Sequence, residues 1–509
     1  MVPRLTIAGA ISGNVDFWGD SDGVHPLKIA AHLLFDMPPE SSTEVTSPGG
    51  AYSLNVDDGS YYISIYLDRN DSGGPPDPGE PDVWYDADGD GKPDKVTVSG
   101  GGSVAGIDLD LGFVYVDIDA TGANDGSSWA DAFTDLNAAI QAAVSGIEVW
   151  IAEGSYTPGA LRVSRFALKN GVRVYGGFAG NEKTRINRDP SAFVTTLSGE
   201  IGAAGTGDNV YNVVWANGTN TTALIDGVTI TGGRADGGVP HNMGGGLYAY
   251  FGAATVVNVT FSGNYASQAG GGMASNGGVV HAYNSRFFNN QAGAYPAGWG
   301  GGFYGTTNGE KLVNCVFTGN LAGQRGGAIY MGSGSFGATL TGLSINGNTT
   351  GWQAGGLFID NNGTTRTYIS NSIIWGNSAE EMITWGTVQV SYSLVQGGIT
   401  GGTNITNADP LFNDANGADD VIGTADDDLR LQASSPAIDA GNNAAVPLDA
   451  ADLDNDHDSD EILPMDMDFN ARFADIPTVA DTGNGTAPII DMGAYEAYPD
   501  PMIFKDGFE

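Results

Sequence analysis

The chain has 509 residues, with 60 acidic against 20 basic side chains and a formal net charge of −40. Such a charge repels nucleic acid and anionic membrane surfaces, no apolar run is long enough for a transmembrane helix, and a single cysteine, Cys315, excludes an internal disulfide. Glycine accounts for 79 residues, about twice its usual share of ~7%, and the acids crowd towards the two ends. Between Val210 and Gly376 they are only Asp226, Asp236, Glu310 and Asp360.

Residues 1–112 read as short strands with turn signals between them, among them LTIAGAISGNVDF, AYSLNV, YYISIYL and KVTVSG. That pattern predicts a small β-sandwich. Within it, Asp86-Ala-Asp88-Gly-Asp90-Gly-Lys-Pro-Asp94 sets oxygens at alternate positions around glycine turns. Such spacing suits Ca²⁺, which takes six to eight oxygen ligands. The distal glutamate of a full EF-hand is missing, with Thr97 in its place, and Asp68, Asn70, Asp71 and Glu80 are the candidates to complete the shell. The loop resembles the short calcium loops of dockerins and thrombospondin type 3 repeats. The whole unit resembles transthyretin-like or carboxypeptidase-regulatory-like sandwiches. The opening MVPRLTIAGAISG has no signal-peptide core. Export with the signal removed is expected, because calcium-type loops suit the outside of a cell; a cytoplasmic chain is the alternative.

Residues 113–403 are expected to form one solenoid. Its start carries a helical pattern from Asp131 to Val144, with Phe133, Leu136, Ala139, Ile140 and Ala143 on one face. Next comes the strand IEVWIAEG, so the helix is placed to plug an open sheet end. Units of 26 to 30 residues then recur. Glycine pairs start at Gly244, Gly270, Gly300, Gly326 and Gly355, and an apolar column runs Phe261, Phe287, Phe317, Ile345, Ile374. Three residues after each apolar position stands an asparagine: Asn264, Asn290, Asn320, Asn348, Asn377. Apolar residues alternate with period two inside each unit, which is strand and not helix. Fixed turns and a stacked asparagine column predict a parallel β-helix with a side-chain amide ladder. The helix and the strand ending in Ala152-Glu153-Gly154-x-Tyr156 resemble the start of the pectate-lyase-like right-handed parallel β-helix superfamily. Cys315 lies two before Phe317 and is expected to be a buried structural thiol.

That resemblance raises polysaccharide cleavage. A calcium-dependent lyase needs acids clustered on one face with an Arg or Lys base. The bases exist, at Arg234, Arg286, Lys311, Arg325 and Arg366, but the acids are spread thinly. Paired aspartates with a His and an Arg-x-Lys, as a hydrolase would need, are not found. An uncharacterised site around Asp226, Asp236, Arg234 and His241 stays open. So does an aromatic row for stacking on sugars, drawn from Tyr248, Tyr250, Tyr283, Tyr295, Trp299, Tyr304, Trp352, Trp375 and Trp385; packing is the competing use of these rings.

Residues 404–497 form an acidic closing module, followed by a tail at 498–509. The phrases ADPLFNDANGADD, LRLQASSPAIDAGN and PIIDMGAYE closely resemble the choice-of-anchor Q domain that accompanies β-helix repeats in bacterial surface proteins. A second alternating run, Asp452, Asp454, Asp456, Asp458 and Asp460 with Glu461, needs a cation or open solvent. A third, Asp414 and Asn416 with Asp419, Asp420 and Asp426 to Asp428, has the same character. The resulting expectation is an all-β, right-handed parallel β-helix with a capping helix, preceded by a β-sandwich. Its expected role is a non-enzymatic, calcium-stabilised scaffold outside the cell or on a bacterial surface, structural or adhesive. Its expected partners are further copies of itself and surface polysaccharide. The alternatives are a polysaccharide lyase or hydrolase, and a carbohydrate-binding adhesin.

Overall fold

The computed structural model describes residues 8–19, 25–34, 38–46, 49–67, 82–87, 92–202, 205–334, 337–361, 366–454 and 461–498. Almost all regular structure is β, and the repeats form a parallel β-helix. Equivalent strands stack in parallel from coil to coil, and the apolar column is in register: Phe261 pairs with Phe287, Phe287 with Phe317, Phe317 with Ile345 and Ile345 with Ile374. One long sheet, an eight-stranded sheet and a short five-stranded sheet make the walls. No helix among the described residues is long and apolar enough to cross a membrane.

The interior is built from the two predicted columns. Phe261, Phe287 and Phe317 stack at 4.7 and 4.5 Å between ring centroids, with their planes nearly parallel. Beside them the asparagines pass one hydrogen bond along the axis. Asn264 Nδ2 donates to Asn290 Oδ1 at 3.1 Å, Asn290 to Asn320 at 3.0 Å, Asn320 to Asn348 at 2.9 Å and Asn348 to Asn377 at 2.9 Å. The amides also serve the backbone, each taking a carbonyl of the preceding coil, such as Phe261 O for Asn290. Buried amides with every atom engaged cost little and fix the register.

The glycines are corners. Gly244, Gly270, Gly300 and Gly326 hold φ between +62° and +64°, a region L-residues avoid. A side chain at Gly246 would put Cβ 2.4 Å from the Gly272 carbonyl oxygen. In the fifth unit the register differs from the sequence reading: Ile329 pairs with Leu357, so the left-handed corner is Ala354 (φ +53°) rather than Gly355.

The helix is shorter than its apolar pattern, Leu136–Ala142, because Asp135 caps it by accepting from Asn137 N at 2.9 Å. Upstream, Asp131 is committed to a turn, accepting from Ala123 N and Ser128 Oγ. Leu136, Ala139 and Ile140 pack on Val114, Ile147 and Val149 at the start of the solenoid core. Before it, Ala8–Trp18 and Gly49–Asp57 pair antiparallel, and their sheet packs on a second sheet containing Leu27–His32 and Gly59–Leu67. The strand Leu109–Val116 runs through the expected boundary at 112: Leu109 pairs with Val15, and Gly112 with Ile147. The front unit and the solenoid therefore share a sheet.

The C-terminal acidic module lies along the flank of the solenoid. Leu453 and Leu463 pack over Val257, Tyr283 and Val313, and Leu429, Met467 and Tyr495 over Val316. Ala437 and Met492 cover Ile373 and Leu394. A second asparagine column docks it. Asn284, Asn314 and Asn371 all have φ near +50°. Asn314 Nδ2 donates to Met465 O at 2.8 Å, while Asn371 donates to Asn442 O at 3.1 Å and accepts from Asn442 N at 2.7 Å.

Candidate cation sites

The first acidic loop is partly within the described residues. Asp94 accepts from Ala87 N at 2.9 Å, and Asp94 N donates to Tyr85 O, so the loop base is closed by a two-way link. Asp86 stands beside that base, whereas Asp88 and Asp90 lie outside the described residues, as do Asp68, Asn70, Asp71 and Glu80.

The second run is brought together with a residue the sequence reading passed over. Asp454 and Glu461 converge with Asp449, and one carboxylate oxygen of each lies within 4.8 Å of the others. Asp449 is fully buried. Its Oδ2 accepts from Leu453 N at 2.8 Å, and among the described residues its Oδ1 has no hydrogen-bond partner. Burial, then Asp452 and Asp454, push its carboxyl up to about 7. Asp452 turns the other way, with Oδ2 3.9 Å from Arg185 Nη2 on the solenoid. Asp456, Asp458 and Asp460 lie outside the described residues. The signal for Asp449 is weak in the sequence, because its burial is made by Leu453 and Leu463 docking on the solenoid.

The third run is answered by turn backbone and hydroxyls and by one solenoid threonine. Asp419 Oδ1 accepts from Val421 N, Asp427 from Gly423 N and Thr318 Oγ1, and Asp426 from Thr424 Oγ1 at 2.6 Å. These acids cap turns.

The charges of the coils are largely spent on each other. Arg188 pairs with Asp226 at 2.6 Å, and Arg162 and Arg234 share Asp236 at 2.6 and 2.8 Å. Arg185 bridges Glu148 and the Tyr175 hydroxyl, both at 2.7 Å. His241 stacks on Tyr211 at 5.0 Å. Asp226 and Asp236 thus answer different arginines. Cys315 is fully buried and burial pushes its thiol up to about 12, which removes it as a nucleophile.

The aromatics divide by face. Tyr248 and Tyr283 are buried, and Trp375 packs under the flank module. On the outer face of the eight-stranded sheet, Tyr304, Tyr330 and Phe358 stack at 5.5 and 5.4 Å. The Arg325 guanidinium there lies 4.6 Å from the Trp352 ring and 4.7 Å from that of Trp385. Both tryptophans are more than two-fifths exposed.

No family model matches the chain, and no curated protein matches it. Among solved structures it is similar to that of pectate lyase Pel9A, at 15% identity over 76% of this chain and 96% of that one, with a TM-score of 0.37. It is also similar to the Family 28 exopolygalacturonase of Yersinia enterocolitica, at 12% identity over 71% and 84%, with a TM-score of 0.20.

Proposed function

We propose that the chain is a non-catalytic β-helix scaffold, exported to the cell surface or beyond, whose flank module is locked onto the solenoid by Ca²⁺. Asp449, Asp454 and Glu461 are the proposed ligands. The observation that carries this reading is the buried Asp449, whose Oδ1 has no donor among the described residues while two further carboxylates face it. Ionised acids so close repel one another, and a buried carboxylate is costly without a partner. A hard cation with oxygen ligands would satisfy Asp449 Oδ1 and offset the repulsion among the three carboxylates. The loops of the choice-of-anchor Q-like module and of the transthyretin-like front unit, with Asp86, Asp88, Asp90 and Asp94 and with Asp456, Asp458 and Asp460, belong to the same proposal as further structural calcium loops. So does association with further copies of the chain.

Melting of the wild type and of Asp449→Asn, each in calcium and in chelator, tests the lock. The calcium-dependent rise should shrink in the variant, and the variant should melt no lower than wild type in chelator, since a neutral amide replaces a buried charge. An equal calcium response in both would remove this site. The non-catalytic reading is tested by the viscosity of acidic and neutral polysaccharides incubated with the protein and calcium. No change is expected; a fall with any polymer would make the chain an endo-acting enzyme.

One observation favours a second reading, a carbohydrate-binding adhesin. Trp352 and Trp385 are exposed rings already held in place by Arg325, which lowers the ordering cost of stacking on a sugar.

A further inference from the structure

We infer that Asp439, Asp475 and Asp481 form a separate divalent-cation site, of calcium type, which ties the excursion at 473–482 to the joint between flank module and solenoid. One carboxylate oxygen from each lies within 4.8 Å of the others. Asp475 and Asp481 are exposed, but Asp439 is only 1% exposed; its carboxyl takes one backbone N–H, from Ile476, and among the described residues its Oδ2 has no hydrogen-bond partner.

The backbone aims that carboxylate. Asp439 N donates to Asp491 Oδ1 at 2.8 Å, and its carbonyl accepts from Thr482 N at 2.9 Å and Gly483 N at 3.1 Å. With φ at +50°, the residue is held in a conformation that ordinary side chains avoid. Two residues on from Asp491, Gly493 N donates to Asn371 O of the solenoid at 2.8 Å, so two hydrogen bonds and a short stretch of backbone link Asp439 to the solenoid. The charged groups acting on its carboxyl, Asp475 and Asp481, are both negative. A buried oxygen with no donor, facing two like charges, calls for a cation.

Calcium suits the site because it takes six to eight oxygen ligands in a flexible geometry, whereas Mg²⁺ demands a near-ideal octahedron. Two exposed ligands also leave room for water in the remaining positions. The site shares no residue with Asp449, Asp454 and Glu461, so either can fail alone.

The test is calcium titration by calorimetry, with hydrogen exchange of the intact chain. The double variant Asp475→Asn, Asp481→Asn changes exposed positions and should fold as wild type. It is expected to bind one Ca²⁺ fewer. Amides over 473–482 should gain protection with calcium in wild type and in Asp449→Asn, but not in the double variant. Equal calcium stoichiometry in wild type and double variant, or no calcium-dependent protection over 473–482 in wild type, would overturn the inference.

Discussion

Asn377 Nδ2 donates to Glu381 Oε2 at 2.6 Å, so the interior amide ladder ends on a carboxylate that also accepts from Asn377 N at 3.0 Å. The end rung is therefore different in kind from the middle. Asn320→Ala would leave the Asn290 N–H and Nδ2 without their acceptor inside the coil. Each buried donor left unmatched costs about 1–3 kcal/mol, so a loss of about 3 kcal/mol is expected from urea unfolding. Glu381→Ala should cost less, about 1 kcal/mol, because Glu381 is only half-buried and water can replace its carboxylate. Equal losses would mean that the ladder does not act rung by rung.

The docking asparagines separate backbone from side-chain effects. Asn371 holds a left-handed corner at φ +51° and makes two hydrogen bonds to Asn442. The same column has a glycine at Gly342, with φ +63°. Asn371→Gly keeps the corner and loses the bonds, for an expected cost of about 1–2 kcal/mol. Asn371→Ala should cost about 1 kcal/mol more, from the strained corner. Denaturant midpoints of the two variants check this order, and an alanine variant as stable as the glycine one would refute it.

These columns show what could be read in advance. Alternation and stacked Phe and Asn positions specify the coil interior, because every coil presents the same face to its neighbours. The corner at Ala354 was harder to see: a Gly-Gly pair one residue later imitates the right spacing. The docking column is itself regular in the sequence, since Asn258, Asn284, Asn314 and Asn371 each stand three residues before the apolar column. What it docks was not legible, because the partner carbonyls come from Asn442 and Met465, far along the chain. Asp449 and Asp439 were invisible for a related reason. Their burial is made by tertiary packing, and nothing in an isolated aspartate announces it.

The exposed tryptophans give the adhesin reading its own measurement. If Trp352 and Trp385 stack on sugars, wild type should be retarded in gels containing the right neutral or acidic polysaccharide. Trp352→Ala and Trp385→Ala should each weaken that retardation, at about 1–2 kcal/mol per exposed ring. Melting should change little for Trp352→Ala, whose ring is nearly half exposed. Retardation unaffected by either substitution would place any sugar contact elsewhere.

Glu310 makes stability depend on pH in a known direction. It is fully buried in a coil, where Ser275 Oγ donates to it at 3.0 Å and Thr307 N at 2.7 Å. Burial outweighs these bonds and pushes its carboxyl up to about 7 from the ordinary 4.5. The folded state thus prefers the protonated acid. Its stabilising contribution is complete below about pH 4.5 and is lost as pH rises through about 7. His281 works in the opposite sense: burial and Lys311 lower it to about 4, so its contribution is complete above about pH 6.5 and lost as pH falls. Comparing wild type with Glu310→Gln at each pH cancels the histidine. The variant should gain on wild type by about 3 kcal/mol between pH 4.5 and 7 and no further above. A difference that stays flat across that window in urea unfolding would mean that Glu310 is already ionised in the folded coil.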